Sequence, residues 1–195
     1  MNREHAATKD SKGTPVRLLL EHCEIRSWDR RDIPALVRNA NSYNVWRNLR
    51  DRFPFPYTTV HGEAWVRAAT QERPQTSFAV VAAGEAAGGI GFLPQEDVGR
   101  HSAEIGYWLG ETHWGQGLMT EALRGFVPWV FDHFAVCRLY AYVFEWNPAS
   151  CRVLEKCGFE LEGRLRKSVA KDGQIIDQFL YSLVREPPLP GERRA

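Results

Sequence analysis

Residues Trp108 to Leu123, WLGETHWGQGLMTEAL, hold two glycines around a single glutamine, after a run that alternates and before a run that does not. SAEIGYWLG ahead of it reads as a strand. Behind it Leu118, Ala122, Leu123, Phe126, Val130 and Phe134 recur at helical spacing, so Gly117 to Phe134 reads as one long amphipathic helix with a bend at Pro128. A loop that feeds a helix exposes the unpaired N–H groups of the first turn. The helix dipole adds roughly half a positive charge at the same point, which together favour a phosphate. Glycine lets such a ligand reach bare backbone. Two familiar phosphate loops do not fit: no G-K-[ST] run follows four spacers, and Thr120 stands where a dinucleotide fingerprint needs a third small residue.

Reading outward, Val16 to Trp28 is extended, and Ile33, Leu36, Val37, Val45 and Leu49 keep helical phase after Asp29 or Asp32 as caps. Phe53-Pro-Phe-Pro ends that helix, and GEAWVRAATQE starts another. SFAVVAAGE and GGIGFLPQED form a hairpin turned near Gly84 to Gly88. RLYAYVFEW returns as a strand. Asn147 caps the helix PASCRVLEKC, Gly158 closes it, and Lys171-Asp-Gly173 turns a last hairpin into IIDQFLYSLV. The order is strand, helices, three strands, long helix, strand, helix, two strands. That order implies an α/β sheet, partly antiparallel, with helices on both faces.

The 195 residues suit one domain, expected over 15–185, with polar tails at 1–14 and 186–195. Lys plus Arg number 25 against 24 Asp plus Glu, so no overall field draws the chain to DNA or to an anionic membrane. The arginines between positions 26 and 52 alternate with aspartates; they suit solvated helix faces better than an RNA contact. No apolar run reaches membrane-spanning length, the six histidines lack metal spacing, and the four cysteines lack C-x-x-C spacing. With no apolar leader in MNREHAATKDSKG, these features suggest reduced thiols and a cytoplasmic protein without a metal.

EIGYWLGETHWGQGLMTEAL followed by NPASCRVLEKCGFELEG resembles the two signature blocks of the GNAT superfamily of acyl-CoA N-acyltransferases, in its RimJ/RimL-like subgroup. NVWRNLRDRFPFPYT and RKSVAKDGQIIDQFLYSLV extend the likeness across nearly the whole folded region. The resemblance implies a mixed, mostly antiparallel sheet of about six to seven strands, splayed between the fourth and fifth, with helices on both faces. It also implies a bulge in the strand Glu104 to Leu109 and acetyl-CoA as co-substrate. The pantetheine arm would lie along Tyr107, Trp108 and Leu109. The diphosphate would rest on Trp114, Gly115, Gln116, Gly117, Leu118, Met119 and Thr120, with Asn147 and Arg152 also touching the cofactor. Thr112 departs from the family's Gln or Arg at the first position of the glycine pattern.

Acyl transfer to an amine needs a base, because an α-amine titrates at about 8 and a lysine at about 10.4. The resemblance puts a base at Glu104. Alternation sets Glu104, Gly106 and Trp108 on one strand face and Ile105, Tyr107 and Leu109 on the other. A solvated strand-end carboxylate is the plainer reading. Backbone N–H groups near Trp108 or Leu109 would be the oxyanion donors. The tyrosine that commonly protonates the thiolate is replaced by Leu154, and RimL-like members point instead to Ser150. Ser150 could equally serve only the helix's first turn. The acceptor end falls to the segments 41–57 and 164–177, with Asn44, Arg47, Tyr57 and Asp177 as candidate contacts. A peptide or protein N-terminus and a small-molecule amine both remain open as acceptor, as does a homodimer. A CoA-binding domain without turnover is the competing reading, motivated by Leu154.

Overall fold

A computed structural model describes residues 16–186; the expected tails lie outside the described residues, apart from Glu186. Eight strands form one sheet: β1 (Arg17–Leu19), β2 (Glu24–Arg26), β3 (Ser77–Ala82), β4 (Glu85–Pro94), β5 (Ser102–Leu109), β6 (Arg138–Phe144), β7 (Glu160–Lys171) and β8 (Gln174–Val184). Their spatial order is β1-β2-β3-β4-β5-β6-β8-β7, and among the described residues only β5 and β6 run parallel. The helices are α1 (Ile33–Ala40), α2 (Tyr43–Trp46), α3 (Thr59–Gln71), α4 (Leu118–His133) and α5 (Pro148–Lys156).

The count exceeds the expected six to seven because Val16 to Trp28 is two strands. Leu20 N–H closes a turn on the Cys23 carbonyl at 2.9 Å, and Glu121 accepts from the His22 N–H at 2.8 Å, fixing that turn to α4. An unbroken apolar run through Leu20 hid the turn. The long early helix likewise divides. Asn41 leaves helical geometry, and the extended Ser42 restarts the chain by accepting from the Val45 N–H at 3.2 Å. Asp29 caps a single 3-10 turn, and its partner in that capping box, Asp32, also holds Arg26 through two 2.7 Å bonds. Pro128 sits inside α4, which continues to His133.

Strand alternation then builds two layers. Phe78, Val80 and Ala82 of β3 join the core under α4 and α5, whereas Ala79 and Val81 join the core under α1 and α3. Phe126 anchors α4: it is fully buried, with ring centroids 5.5 Å from both Phe78 and Trp129 and 6.1 Å from Phe92.

Hairpin turns close on left-handed pairs, Ala83-Gly84 and Asp172-Gly173. Truncation of Phe126 to alanine should cost about 3–5 kcal/mol, because the space between three rings cannot collapse. A denaturant midpoint that moves by much less would mean that α4 is held elsewhere.

Candidate active site

The decisive irregularity lies between β5 and β6. β5 pairs with β4 over all of Ala103–Leu109 without a register shift, but with β6 only from Ser102 to Glu104, opposite Arg138 to Tyr140. β6 stays paired with β8 as far as Phe144. The two central strands therefore part after Glu104 and Tyr140. The expected bulge is absent; the register is regular, and the gap comes from divergence. A reason lies in β4, where a Cβ on Gly88 would come within 2.1 Å of the Trp108 carbonyl oxygen. Only glycine lets β4 draw the end of β5 to itself.

Parity decides which main-chain groups face the gap. Gly110 N–H donates to Ala87 and Gln95 N–H to Ser102, so the even-numbered residues of β5 carry the ladder to β4. Odd-numbered residues turn toward β6, as His101 does in accepting from Cys137 N–H. Beyond the last pair, Tyr107 and Leu109 thus point main-chain groups into the gap, and the Leu109 carbonyl accepts from the Trp114 indole at 2.8 Å. The main chain of Trp108 belongs to the β4 ladder, opposite Gly89. That removes Trp108 as an oxyanion donor and leaves Leu109. The Trp108 ring packs edge-on against Phe53.

From Leu109 the chain makes one 3-10 turn and enters α4. Gly115 and Gly117 take φ of +75° and +80°, and a Cβ on either would meet nothing within 4 Å. Gly117 is the N-cap of α4, and no side chain among the described residues caps it. Glu121 N–H donates back to the Gly117 carbonyl at 3.0 Å, so the amides of Leu118, Met119 and Thr120 precede the ladder of α4, a few residues after the half-exposed Trp114. Gln116 folds back, donating to the Thr112 carbonyl at 2.8 Å. The departure at Thr112 thus leaves a main-chain contact in place of a side-chain one.

On the α4 and α5 side of the gap, Tyr107 reaches across to α5. Its hydroxyl lies 2.9 Å from Ser150 Oγ and 3.3 Å from the Ser150 carbonyl. Asn147 caps α5, its Oδ1 accepting from the Ser150 N–H at 3.2 Å. Burial pushes the Tyr107 phenol well above its ordinary range, and it pushes the Cys151 and Cys157 thiols up as well. Those cysteines are poor thiolates, so a covalent acyl-cysteine is disfavoured. Arg152 is exposed on α5, and Leu154 is wholly buried in the core.

On the opposite face, Glu104 is largely covered and meets Arg50 at 2.5 Å. Beside them a cavity of about 220 Å³ is lined by Arg50, Asp51, Tyr142, Phe144, Val169, Ala170, Lys171 and Gln178. It joins the two segments expected to form the acceptor end. Lys171 is 2% exposed, 2.7 Å from Asp51 and 3.7 Å above the Trp46 ring.

The named acceptor candidates do not line this cavity. Asn44 donates to Glu111 at 2.9 Å, linking α2 to the loop before α4. Tyr57 is buried against Phe53 and His61, and burial lifts its phenol to about 12. Asp177 is buried, accepting from Arg164 and from the Lys167 N–H at 2.7 Å, where β7 runs irregularly. Arg47 lies over the Trp146 ring at 4.8 Å. Sequence reasoning missed Arg50, Tyr142, Lys171 and Gln178. The alternation of Tyr140 and Tyr142 with Leu139 and Ala141 was the available signal for the tyrosines. Arg50 sits in an irregular segment with no periodicity to expose it.

The model of the acetyltransferase (GNAT) domain matches residues 22–160, well over half of the chain. The chain belongs to the GNAT family. A curated relative, the uncharacterised N-acetyltransferase p20 of Bacillus licheniformis, is 36% identical over 97 residues, 50% of this chain and 53% of that protein. The ribosomal-protein-serine acetyltransferase of Escherichia coli is 36% identical over 87 residues, 43% of this chain and 46% of that protein. This GNAT chain spans about half the length of the first curated relatives it matches. Among solved structures, RimL, a ribosomal L7/L12 alpha-N-protein acetyltransferase in complex with coenzyme A, superposes with a TM-score of 0.76 at 22% identity, covering 87% of this chain and 98% of that one. A GNAT-family acetyltransferase from Bacillus anthracis gives 0.75 at 21% identity over 87% and 98%. At these identities the likeness is one of fold, and it carries the mixed sheet with helices on both faces.

Gly117→Ala should destabilise the protein by about 1–2 kcal/mol through left-handed strain alone, and Gly117→Asn by less, since asparagine tolerates that region. Equal losses in chemical denaturation would point to a buried contact that the open surroundings do not contain.

Proposed function

We propose that the chain is an acetyl-CoA-dependent N-acetyltransferase that acetylates a primary amine by direct attack in a ternary complex, with one domain over 15–185 carrying the activity. The observation that carries the reading is the parting of β5 from β6 after Glu104 and Tyr140, which one short connection from Leu109 joins to the start of α4, where Gly117 is the cap. Amides from Leu118 to Thr120, with Gly115 and Gly117, fit a diphosphate, and Trp114 and Gln116 border it. Tyr107 and Leu109 offer an amide-rich arm the partners a neighbouring strand would otherwise supply. Asn147, the cap of α5, and the exposed Arg152 would contact the cofactor from α5. Acetyl-CoA supplies an activated acetyl thioester.

The chain's own residues would do the rest. Glu104 takes the proton of the acceptor's ammonium, directly or through one water, once Arg50 yields. The Leu109 N–H faces the developing oxyanion. Ser150 donates a hydrogen bond to the departing sulfur.

The acceptor cavity suits the first residue of a flexible chain better than a folded surface. The name of the Escherichia coli relative favours a peptide or protein α-amine over a polyamine or an aminoglycoside. Thiol release from acetyl-CoA should therefore be fastest with short peptides bearing a free N-terminus and absent with N-blocked ones. Coenzyme A binding without release for any amine would replace the enzyme reading with that of a CoA-binding regulatory domain.

Glu104→Gln should lower kcat by about 100-fold or more, leave KM for acetyl-CoA nearly unchanged and reshape the pH–rate profile. A profile identical to wild type would remove Glu104 from the base role.

A further inference from the structure

We infer that Tyr107 is a positioning residue: it fixes the Ser150 hydroxyl as a hydrogen-bond donor toward the sulfur of bound coenzyme A. The inference rests on the acetyltransferase reading and gives a function to a contact that the family resemblance did not supply.

The geometry starts from the orientation of Ser150. Its N–H faces the Asn147 main-chain oxygen at 3.1 Å and Oδ1 at 3.2 Å, so the residue is locked in the first turn of α5 while its hydroxyl can still rotate. A first-turn serine hydroxyl is free to turn back onto its own backbone. Tyr107 restricts that freedom. Its phenol approaches Ser150 Oγ at 2.9 Å and the Ser150 carbonyl at 3.3 Å, from a strand residue beyond the last β5–β6 pair. A phenol is the more acidic of the two hydroxyls and therefore the better donor. The Ser150 carbonyl can only accept, and the phenol has one proton for two acceptors; taking the shorter 2.9 Å contact as its donation to Oγ leaves the serine proton to point elsewhere, beside the β5–β6 gap.

Proton accounting supports positioning over relay. In the transfer a C–N bond forms, the C–S bond breaks, and its electron pair stays on sulfur. The first ammonium proton goes to Glu104 and then to water, the second N–H proton of the adduct leaves to water as the carbonyl re-forms, and the thiolate takes one proton from solvent, so one proton is released net. Ser150 stabilises the sulfur through its O–H and keeps its own proton. Tyr107 keeps its proton too, because burial disfavours a phenolate there.

The test needs no acceptor amine. The thiol of bound coenzyme A can be titrated by thiolate ultraviolet absorbance, as a difference against free protein so that the four cysteines cancel. Charge-assisted hydrogen bonds to a thiolate are strong, so Tyr107→Phe, which keeps the ring, should reduce stabilisation of the bound thiolate about three- to tenfold. Ser150→Ala should reduce it at least as much, Ser150→Thr much less, and the double variant Tyr107→Phe, Ser150→Ala no more than Ser150→Ala alone. At pH below the titration of the bound thiol, coenzyme A affinity should change little, because Tyr107 is proposed to hold the arm through its main chain; above it, affinity should fall by the same factor as the thiolate stabilisation. An unshifted titration in Tyr107→Phe, or additive losses in the double variant, overturns the inference while leaving the acetyltransferase reading intact. Failure of the wild-type protein to bind coenzyme A at all removes that reading, and this inference with it.

Discussion

The site depends on a conflict of pairing at the middle of the sheet. β5 is held by β4 along its whole length and β6 by β8 along its whole length, and the two cannot stay paired with each other past Tyr140. Unpaired strand groups are tolerated where water or a ligand can satisfy them, so the parted main chain calls for one or the other. Gly88 is the local cause on one side, because any side chain there would collide with the Trp108 carbonyl. The short connection from Leu109 then delivers the start of α4 to the mouth of the same gap. A main-chain slot and an uncapped helix start are two consequences of one divergence.

Strand alternation divides the chemistry between the faces of the sheet. Even positions set Glu104 toward Arg50 and the cavity, and odd positions set Tyr107 toward α5 and Ser150. On the proposed reading, proton uptake from the amine and stabilisation of the leaving sulfur fall on opposite sides of one layer. An acceptor can then approach from the α2 and β7–β8 side without crossing the groups that handle the thiol. Such separation agrees with direct transfer, and the raised thiols of Cys151 and Cys157 give no encouragement to a covalent detour.

Sequence reading reached the parts governed by local rules. The cap at Asn147, the turn at Asp172-Gly173, the phase of α4 and the faces of β5 all follow from spacing or from a residue's own conformational range. It failed where distant groups decide. The turn at Glu21-His22 is fixed by Glu121, nearly a hundred positions away, and no pattern in Val16 to Trp28 announces it. Asp177 looked available because it is an acid on a late hairpin, yet it holds the irregular stretch of β7 to Arg164 and Lys167. The family's bulge proved to be a divergence for the same reason: register is a property of two strands and cannot be read in one.

The two ion pairs at the cavity behave differently, and burial explains why. Arg50 has 48% of its side chain exposed, so its pair with Glu104 resembles surface pairs worth about 0.2–1 kcal/mol. An ammonium group arriving from solvent can displace it, exchanging one cation for another beside the same carboxylate. Lys171 has 1% of its side chain exposed and lies over Trp46, so buried packing and the ring hold it in place, although its partner Asp51 is open to solvent. Lys171 is therefore part of the cavity wall, its charge matched by Asp51, whereas Arg50 is the replaceable cation. On the proposed reading, an ammonium takes the place of Arg50 beside Glu104 and so reaches the base from the side where that arginine yields.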